Sequence, residues 1–129
     1  MKVKDYRTTE PATVNIDATF HDVKEKMVEE GTSVVLIKAG AEIVGVVTDT
    51  DVFAHSAAGK DLNATKVKKH MTACELGGVN PCLQIFEDSP VEDAVRIMAI
   101  SGVHHLLVWG KDGHLSGVIS SKNILKTVD

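Results

Sequence analysis

The sequence predicts a mixed α/β fold of the α+β type, with two β-α-β-β-α repeats related by a pseudo-twofold axis. The first observation behind this prediction is a duplication at a separation of 71 residues, in which Asp22, Met27, Gly31 and Val35 recur as Asp93, Met98, Gly102 and Leu106. The second is its continuation at 72 residues after a turn, in which Gly45, Thr48, Asp51 and Val52 recur as Gly117, Ser120, Asn123 and Ile124. The repeat is longer than a solenoid unit of about 20–50 residues. We therefore expect two copies of a supersecondary unit that form paired clefts, and residues lining both clefts are the candidates for function.

Bulk composition narrows the functional class. The 129 residues suffice for one compact domain, and a hydrophobic fraction of 43% provides an aliphatic core. A formal charge of −4 argues against a nucleic-acid binder, which normally carries a basic face. The sequence has neither an apolar run of the ~20 residues that a membrane helix needs nor a signal-peptide pattern. Two cysteines do not make a disulfide framework, so we expect a cytoplasmic protein.

The first copy contains a clear order of elements. Residues 13–16 alternate in hydropathy and indicate a strand, and apolar residues at helical spacing follow Thr19. Thr19 and Asp22 form a capping-box pattern, and Gly31 is a typical helix end. The remaining predicted elements are two strands at 34–37 and 43–47, a turn between them at 39–42, and a helix that opens at 48–51.

The second copy repeats this order with stronger helix signals. Ser89 is predicted as an N-cap, with Pro90 at the first helical position and Glu92 at the third. Two strands and a final helix opened by Ser120 follow, with the strands at 105–109 and 115–119 and an Asp-Gly turn within 110–113. We predict one module over residues 1–129, divided into repeat 1 at 8–57, a linker at 58–70 with a short helical turn at 67–71, and repeat 2 at 71–129.

The most specific pattern stands where the last strand of each copy meets its last helix. It reads Gly-apolar-apolar-Thr/Ser-x-x-Asp/Asn, at residues 45–51 and again at 117–123. The glycine allows a ligand or a neighbouring backbone to come close. The hydroxyl of Thr48 or Ser120 is predicted at a helix N-terminus, where free N–H groups and the helix dipole favour a phosphate. A carboxylate at Asp51 can accept hydrogen bonds from both hydroxyls of a ribose.

The element order, the duplication and the two junction motifs together resemble the CBS (cystathionine β-synthase) domain family, in which two tandem copies form a Bateman module. The resemblance covers residues 8–128, and the second copy is the closer match at 89–94, 102–106 and 112–113. It implies a regulatory module that binds AMP, ADP, ATP, S-adenosylmethionine or a dinucleotide. It also implies that there are no catalytic residues, no metal and no required cofactor, that the module pairs as a homodimer through helix faces, and that a separate protein is regulated. Candidates for the pairing face are Phe53, Val95 and Met98.

The resemblance also places residues in two clefts between the copies. One cleft would combine Thr48 and Asp51 with Leu83, His104 and His105. The other would combine Ser120 and Asn123 with Ala12, Thr13, Ser33 and Val34. The first is expected to be the better nucleotide site because it has the ribose carboxylate and two imidazoles. In the second, Asn123 can still hydrogen-bond a ribose but lacks charge assistance, so a weak or empty site is expected there.

Three other interpretations stay open at this stage. Thr48 with Asp51 is also an ordinary helix cap. The chain could be an assembly module with vestigial clefts, or a small enzyme that uses its histidines and a cysteine, although no nucleophile–base pair is evident. A metal site at His70 and Cys74 is disfavoured because zinc needs three or four ligands and no such set is seen with Cys82.

Overall fold

The computed structural model describes residues 1–73 and 84–128, which form two compact units. The unit of residues 11–73 contains β1 (Thr13–Asn15), α1 (Phe20–Glu30), β2 (Val34–Ala39), β3 (Glu42–Thr48), α2 (Asp49–Ala57) and β4 (Thr72–Ala73). The unit of residues 1–10 and 84–128 contains β5 (Gln84–Phe86), α3 (Val91–Ser101), β6 (His105–Trp109), β7 (Leu115–Ser120) and α4 (Ser121–Ile124). The predicted mixed α/β class and the β-α-β-β-α order of each repeat are confirmed. None of the helices described here is long and apolar enough to cross a membrane.

The two sheets have matching topology. In the first unit β1 runs parallel to β2, and β3 lies antiparallel between β2 and β4. In the second unit β5 runs parallel to β6, which pairs antiparallel with β7. Both hairpins carry a register shift at the same place, opposite Gly45 in one unit and opposite Gly117 in the other. Such bulges bend a strand and increase its twist.

Each unit has its own aliphatic core between its sheet and its helices. In the first unit Phe20 and Val23 of α1 pack with Val35 and Ile37 of β2. The alternate residues of β2, Val34 and Leu36, are also buried although they point to the opposite sheet face. A strand buried on both faces needs a continuous apolar run. In the second unit the corresponding core residues include Val91, Ala94, Leu106, Val108 and Ile119.

The helix ends mostly follow the local signals, with one exception. Thr19 caps α1 together with Asp22, and Gly31 and Gly102 end α1 and α3 in the left-handed conformation. The prediction that Ser89 caps α3 is wrong. The helix begins at Val91 after an extended Pro90, with ψ of 144°, and the Val91 N–H donates to the carbonyl of Met1 at 3.0 Å. The main-chain carbonyl of Met1, which is distant in sequence, thus caps the helix in place of the serine.

A segment before each repeat completes the unit of the other repeat. Residues 1–8 lie on the second unit, where Val3 is fully buried in the core and Thr8 exchanges two main-chain hydrogen bonds with Val118, at 2.8 and 3.1 Å. Residues 65–73 lie on the first unit, where Val67 is fully buried and Thr72 pairs with Val46. The predicted linker therefore contributes a core residue, while the repeat boundaries at 8–57 and 71–129 stay predictions.

We name these the N-terminal strap, residues 1–8, and the internal strap, residues 65–73. The pattern Lys-Val-Lys-x-x-x-Thr occurs in both, at 2–8 and 66–72, which is the sequence signal that identifies them. Both straps cap the helix of their unit in the same way: the Thr65 carbonyl accepts from the Phe20 N–H at 2.9 Å, as the Met1 carbonyl does from Val91. The duplication thus includes the straps, and each strap belongs to the unit of the other repeat.

Candidate functional site

The two junction motifs occupy equivalent places in their units. Thr48 ends β3 and is the N-cap of α2, and Ser120 ends β7 and is the N-cap of α4. Each junction is held against the start of the neighbouring strand by one main-chain hydrogen bond, from Asp49 to the Ser33 carbonyl at 3.0 Å and from Ser121 to the His104 carbonyl at 2.9 Å. The geometry of the two junctions can therefore be compared atom by atom.

At the first junction Asp51 uses one carboxylate oxygen to cap the helix. Its Oδ2 accepts from the Thr48 N–H at 2.9 Å and from the Thr48 hydroxyl at 3.2 Å. No hydrogen bond among the described residues is made to the other oxygen, Oδ1. The half-buried carboxylate therefore keeps a charged acceptor available beyond its capping role.

At the second junction Asn123 reproduces the same cap with an amide. Its Oδ1 accepts from the Ser120 N–H and from the Ser120 hydroxyl, both at 2.9 Å. The Asn123 main-chain N–H donates back to the Ser120 hydroxyl at 3.3 Å. Both members of this pair are half-buried, and the amide nitrogen Nδ2 takes no part in the cap.

A third cap of the same kind shows what capping alone looks like. The Thr19 N–H donates to Asp22 Oδ2 at 2.9 Å at the start of α1, where no ligand is predicted. The hydrogen bond from the Thr19 main chain holds the pKa of the Asp22 carboxyl below its usual value. Thr48 and Asp51 thus form a helix cap, as that interpretation predicts. Evidence for a ligand can come only from the second carboxylate oxygen and from the surroundings of Asp51.

The first turn of α2 differs from the phosphate site expected from the sequence. Its N–H groups are not free: Asp49 donates to Ser33, and the Thr50 N–H donates to the Asp49 carboxylate at 2.8 Å. Two carboxylates, Asp49 and Asp51, already occupy this turn. The expectation of a phosphate held by free N–H groups at α2 is therefore wrong, because side-chain and main-chain acceptors satisfy these donors.

The two junction glycines accommodate the straps. A Cβ at Gly117 would collide with the main-chain oxygen of Thr8, and one at Gly45 would collide with the Met71 side chain and lie 3.1 Å from the Thr72 oxygen. Of the two roles expected for these glycines, the structure shows the close approach of a neighbouring backbone. The glycine of each motif therefore serves the fold, because it allows a strap to pass close to the strand.

The remaining predicted site residues divide between the units. Ala12, Thr13 and Ser33 lie with Thr48 and Asp51 in the first, where the buried Ala12 accepts at its carbonyl from Leu36 at 2.9 Å. The exposed His104 and half-buried His105 lie with Ser120 and Asn123 in the second, and His105 pairs with Ser120 across the sheet. Leu83 lies outside the described residues. The combinations of these groups across the two repeats stay predictions.

A cluster of aromatic rings lies beside the first junction and was not predicted from the sequence, which indicated no contact for His55. The His55 ring lies 4.4 Å from the Phe20 ring and 4.6 Å from the His70 ring, measured between centroids. Burial lowers the pKa of His55, and the nearby Lys60 and His70 lower it further. His55 stands one helical turn after Asp51, and this spacing is the available sequence signal. The cluster connects α1, α2 and the internal strap.

Metal ligation receives no support from the part of the chain that the structure describes. Within residues 1–73 and 84–128 no three His, Cys, Asp or Glu side chains are grouped so that they could hold an ion. The two cysteines, Cys74 and Cys82, lie outside those ranges, so the argument against a metal site that includes them stays a prediction from the sequence.

Comparison with protein families decides the family. The model of the CBS domain matches residues 3–58 and again 77–129. The chain belongs to the CBS domain family. Both matches cover a junction motif, and the first begins within the N-terminal strap. The resemblance stated from the sequence is thereby confirmed.

The curated relatives of this chain are distant in sequence. An uncharacterized 17.7 kDa protein of Acidianus ambivalens is 29% identical over 98% of this chain and 73% of its own length. Four other curated relatives match over only 21–53% of their own lengths, so they carry large regions that this chain does not contain.

Solved structures agree with the fold. The CBS domain protein PAE2072 of Pyrobaculum aerophilum, complexed with AMP, has a TM-score of 0.81 at 19% identity and covers 96% of this chain and 90% of its own. The CBS domain pair of MJ0100, in complex with 5′-methylthioadenosine and S-adenosyl-L-methionine, has a TM-score of 0.81 at 18% identity, with 98% and 94% covered. A hexameric CBS-CP12 protein from bloom-forming cyanobacteria has a TM-score of 0.80 at 25% identity, with 97% and 66% covered. The first two likenesses establish the fold alone.

Proposed function

We propose that this chain is a regulatory module without catalytic activity of its own. It binds an adenosine-containing ligand, an adenine nucleotide or S-adenosylmethionine, between its CBS repeats and passes the resulting change of conformation to a partner protein. The observation that carries the proposal is the second carboxylate oxygen of Asp51, which accepts no hydrogen bond from the described residues while the first oxygen caps α2. A carboxylate oxygen held in place by a helix cap is suited to accept hydrogen bonds from a ribose diol.

Two further observations support the proposal. The junction that holds Asp51 is fixed to the start of β2 by two contacts, the hydrogen bond to Ser33 and the pairing of Thr48 with Val34, so the acceptor is preorganised. AMP is bound in the PAE2072 structure, and 5′-methylthioadenosine and S-adenosylmethionine are bound in that of MJ0100, two proteins of the same fold. The ligand can act as a signal only if it binds two arrangements of the protein with different affinity.

Asp51→Asn is the informative variant because it separates the ligand role from the cap. Asn123 shows within this chain that an amide supports the same cap geometry, so the fold should survive the substitution. Asp22→Asn is the matched control, since it makes the same change in the same kind of cap at the start of α1.

The test is a thermal-shift screen of wild type, Asp51→Asn and Asp22→Asn against AMP, ADP, ATP, S-adenosylmethionine, NAD and GTP. A ligand at 100 times its dissociation constant adds about 2.7 kcal/mol, which corresponds to a shift of roughly 10 °C for a chain of this size. We expect one or more adenosyl ligands to shift the wild type and Asp22→Asn but not Asp51→Asn. Absence of any shift in the wild type, or an undiminished shift in Asp51→Asn, would reject the proposal.

An assembly module is the second candidate, because several large apolar side chains are exposed. Val28, Phe53, Ile100 and Leu125 are between 67% and 81% exposed. A homodimer through helix faces would cover part of this surface, and the CBS-CP12 relative is hexameric. Sedimentation with and without ligand separates the two functions: an assembly module associates without ligand, and its association is unchanged in Asp51→Asn.

A further inference from the structure

The two straps share three kinds of contact with their units. Each strap buries the valine of its Lys-Val-Lys pattern, pairs its threonine with the second hairpin strand, and brings a lysine to the aspartate that lies two residues after the first strand. The residues of the N-terminal and internal straps are, in that order, Val3 and Val67, Thr8 and Thr72, and Lys2 and Lys66. We name the surface under each strap its strap groove, formed by residues 16–17 and 44–46 in the first unit and by residues 87–88 and 116–118 in the second. The shared contacts do not distinguish one groove from the other.

The straps differ at the sixth residue of the pattern Lys-Val-Lys-x-x-x-Thr. This residue is Arg7 in the N-terminal strap and Met71 in the internal strap. Both side chains cross the junction glycine of their unit: Met71 is the nearest neighbour of a Cβ built at Gly45, and the Arg7 Cδ lies 3.2 Å from one built at Gly117. The arginine and the methionine therefore occupy equivalent places in the two strap grooves.

The second groove surrounds Arg7 with hydrogen-bonding groups. The Ser116 hydroxyl donates to Glu87 Oε2 at 2.7 Å and accepts from Arg7 Nε, and Arg7 Nη2 lies 3.6 Å from the same carboxylate oxygen. The Arg7 and Glu87 side chains are only 19% and 25% exposed, so salt screens this pair less than it screens a surface pair. Loss of the arginine would leave a half-buried carboxylate and hydroxyl without the cation that they face.

The first groove meets Met71 with aliphatic side chains. Ile16 stands where the second unit has Glu87 (87 − 16 = 71), and Val44 stands where it has Ser116 (116 − 44 = 72), the same separations that relate the two repeats. Ile16, Val44 and Met71 are half-buried and pack against the core of the first unit. A guanidinium placed here would lose water and gain neither a carboxylate nor a hydroxyl from these two positions.

We infer that Arg7 and Met71 are the specificity-determining residues that assign each strap to its own groove. The polar second groove is a docking site for a basic segment of the pattern Lys-Val-Lys-x-x-Arg-Thr, and the aliphatic first groove is a docking site for the methionine counterpart. A strap in the wrong groove would keep its valine, lysine and threonine contacts. It would also bury either a carboxylate without its cation or a guanidinium without its anion, and unpaired groups of this kind reject a wrong partner. The assignment is independent of any bound ligand.

The test is hydrogen exchange of the full chain, measured by mass spectrometry in the segments 1–8 and 65–73, because exchange reports local opening of a segment. Arg7→Met should accelerate exchange in residues 1–8 about tenfold or more, since hydrogen bonds to a charged group are lost, and leave residues 65–73 unchanged. Adding Glu87→Ile and Ser116→Val to Arg7→Met gives the second groove the chemistry of the first. Exchange in residues 1–8 should then return to within about threefold of wild type.

The converse exchange of residues is an independent test. Met71→Arg should accelerate exchange in residues 65–73 and not in residues 1–8, and adding Ile16→Glu and Val44→Ser should slow it again. Arg7→Lys is the matched control, because it keeps the positive charge and loses the planar fork of donors, and its effect should lie between those of wild type and Arg7→Met. The melting temperature shows which variants are folded.

Three results would overturn the assignment. Exchange in Arg7→Met within about twofold of wild type would show that the side chain only covers Gly117. Equal acceleration in both straps would show a general loss of stability, and a folded triple variant that exchanges as fast as Arg7→Met would show that the groove does not select. If the triple variant does not fold, Glu87→Gln decides: it should accelerate exchange in residues 1–8 of wild type and add little to Arg7→Met, and equal effects in the two backgrounds would overturn the assignment.

Discussion

Gly117 is the position where a single methyl group should do most damage to the second unit. The N-terminal strap runs across it, and a Cβ would collide with the Thr8 oxygen and lie 3.1 Å from the Thr8 carbonyl carbon, where ordinary contacts begin at 3.4 Å. Both obstructing atoms are main-chain atoms, so no side-chain rotation relieves the collision. Gly117→Ala should therefore push the strap off β7.

The magnitude follows from what the displaced strap loses. Its two hydrogen bonds between Thr8 and Val118 contribute about 1 kcal/mol each, and forcing a methyl group into a packed contact costs about 1–3 kcal/mol. The substitution should thus lower stability by roughly 3 kcal/mol at the lower end of this range, and a chain of this size loses about 4 °C per kcal/mol. We expect a fall in melting temperature of about 12 °C, together with faster hydrogen exchange at the Thr8 and Val118 amides.

Two glycines of the same chain serve as controls for Gly117→Ala. Gly40 has φ of 65° and open space around its Cβ position, so Gly40→Ala reports backbone strain alone, about 1 kcal/mol. Gly45→Ala collides mainly with the flexible Met71 side chain and should be intermediate. A melting temperature for Gly117→Ala within 2 °C of that for Gly40→Ala would refute the reasoning about the strap.

Three further predictions concern the straps and the charged groups around them. Deleting residues 1–10 removes Val3 from the second core, so hydrogen exchange should accelerate in β6 and β7 and stay slow in β2 and β3; equal acceleration in both units would contradict the separate cores. Burial lowers the pKa of His55, so its contribution to stability is complete above about pH 6.5 and declines as the imidazole takes up a proton at lower pH. The melting temperature of His55→Gln should therefore fall less than that of wild type between pH 7.5 and 5.5. Parallel curves of melting temperature against pH would exclude this role of His55. Hydrogen bonds from Lys4 and Lys111 lower the pKa of Asp88 to about 2, so its contribution to stability is complete above pH 3.8 and is lost towards pH 2. Asp88→Asn should melt below wild type at pH 7, and the difference in melting temperature should close as the pH approaches 2. A difference that is independent of pH would point to a different cause.

The elements that the sequence predicts well are those with local signals. Helix α1 has its N-cap, its apolar face and its terminal glycine within thirteen residues, from Thr19 to Gly31, and it forms where predicted. The start of α3 has an equally good local pattern, but Met1 supplies the acceptor from 90 residues away. Long-range main-chain contacts of this kind leave no periodicity, and only the recurrence of Lys-Val-Lys-x-x-x-Thr marks the straps.

The predictions about the candidate site divide in the same way, between features set by local sequence and features set by contacts distant in sequence. The sequence predicts that Thr48 and Asp51 lie together at a strand–helix junction, because a three-residue spacing at a helix start is a local property. It identifies the substitution of Asn123 for a carboxylate as a loss of charge. The direction in which the amide points depends on the Ser120 hydrogen bonds, and the occupied N–H groups of α2 depend on Ser33 and Asp49, so both needed three-dimensional structure.

The measurement that tests the central claim most directly pairs Asp51 with the ribose it is proposed to hold. The affinities of AMP, 2′-deoxy-AMP and 3′-deoxy-AMP would be measured for wild type and for Asp51→Asn, so that each hydroxyl is removed in the presence and absence of the carboxylate. If the carboxylate accepts from the diol, loss of a hydroxyl should weaken binding to wild type by about tenfold or more, and binding to Asp51→Asn by about twofold or less. An equal loss in both proteins would show that Asp51 does not contact the ribose and would contradict the account.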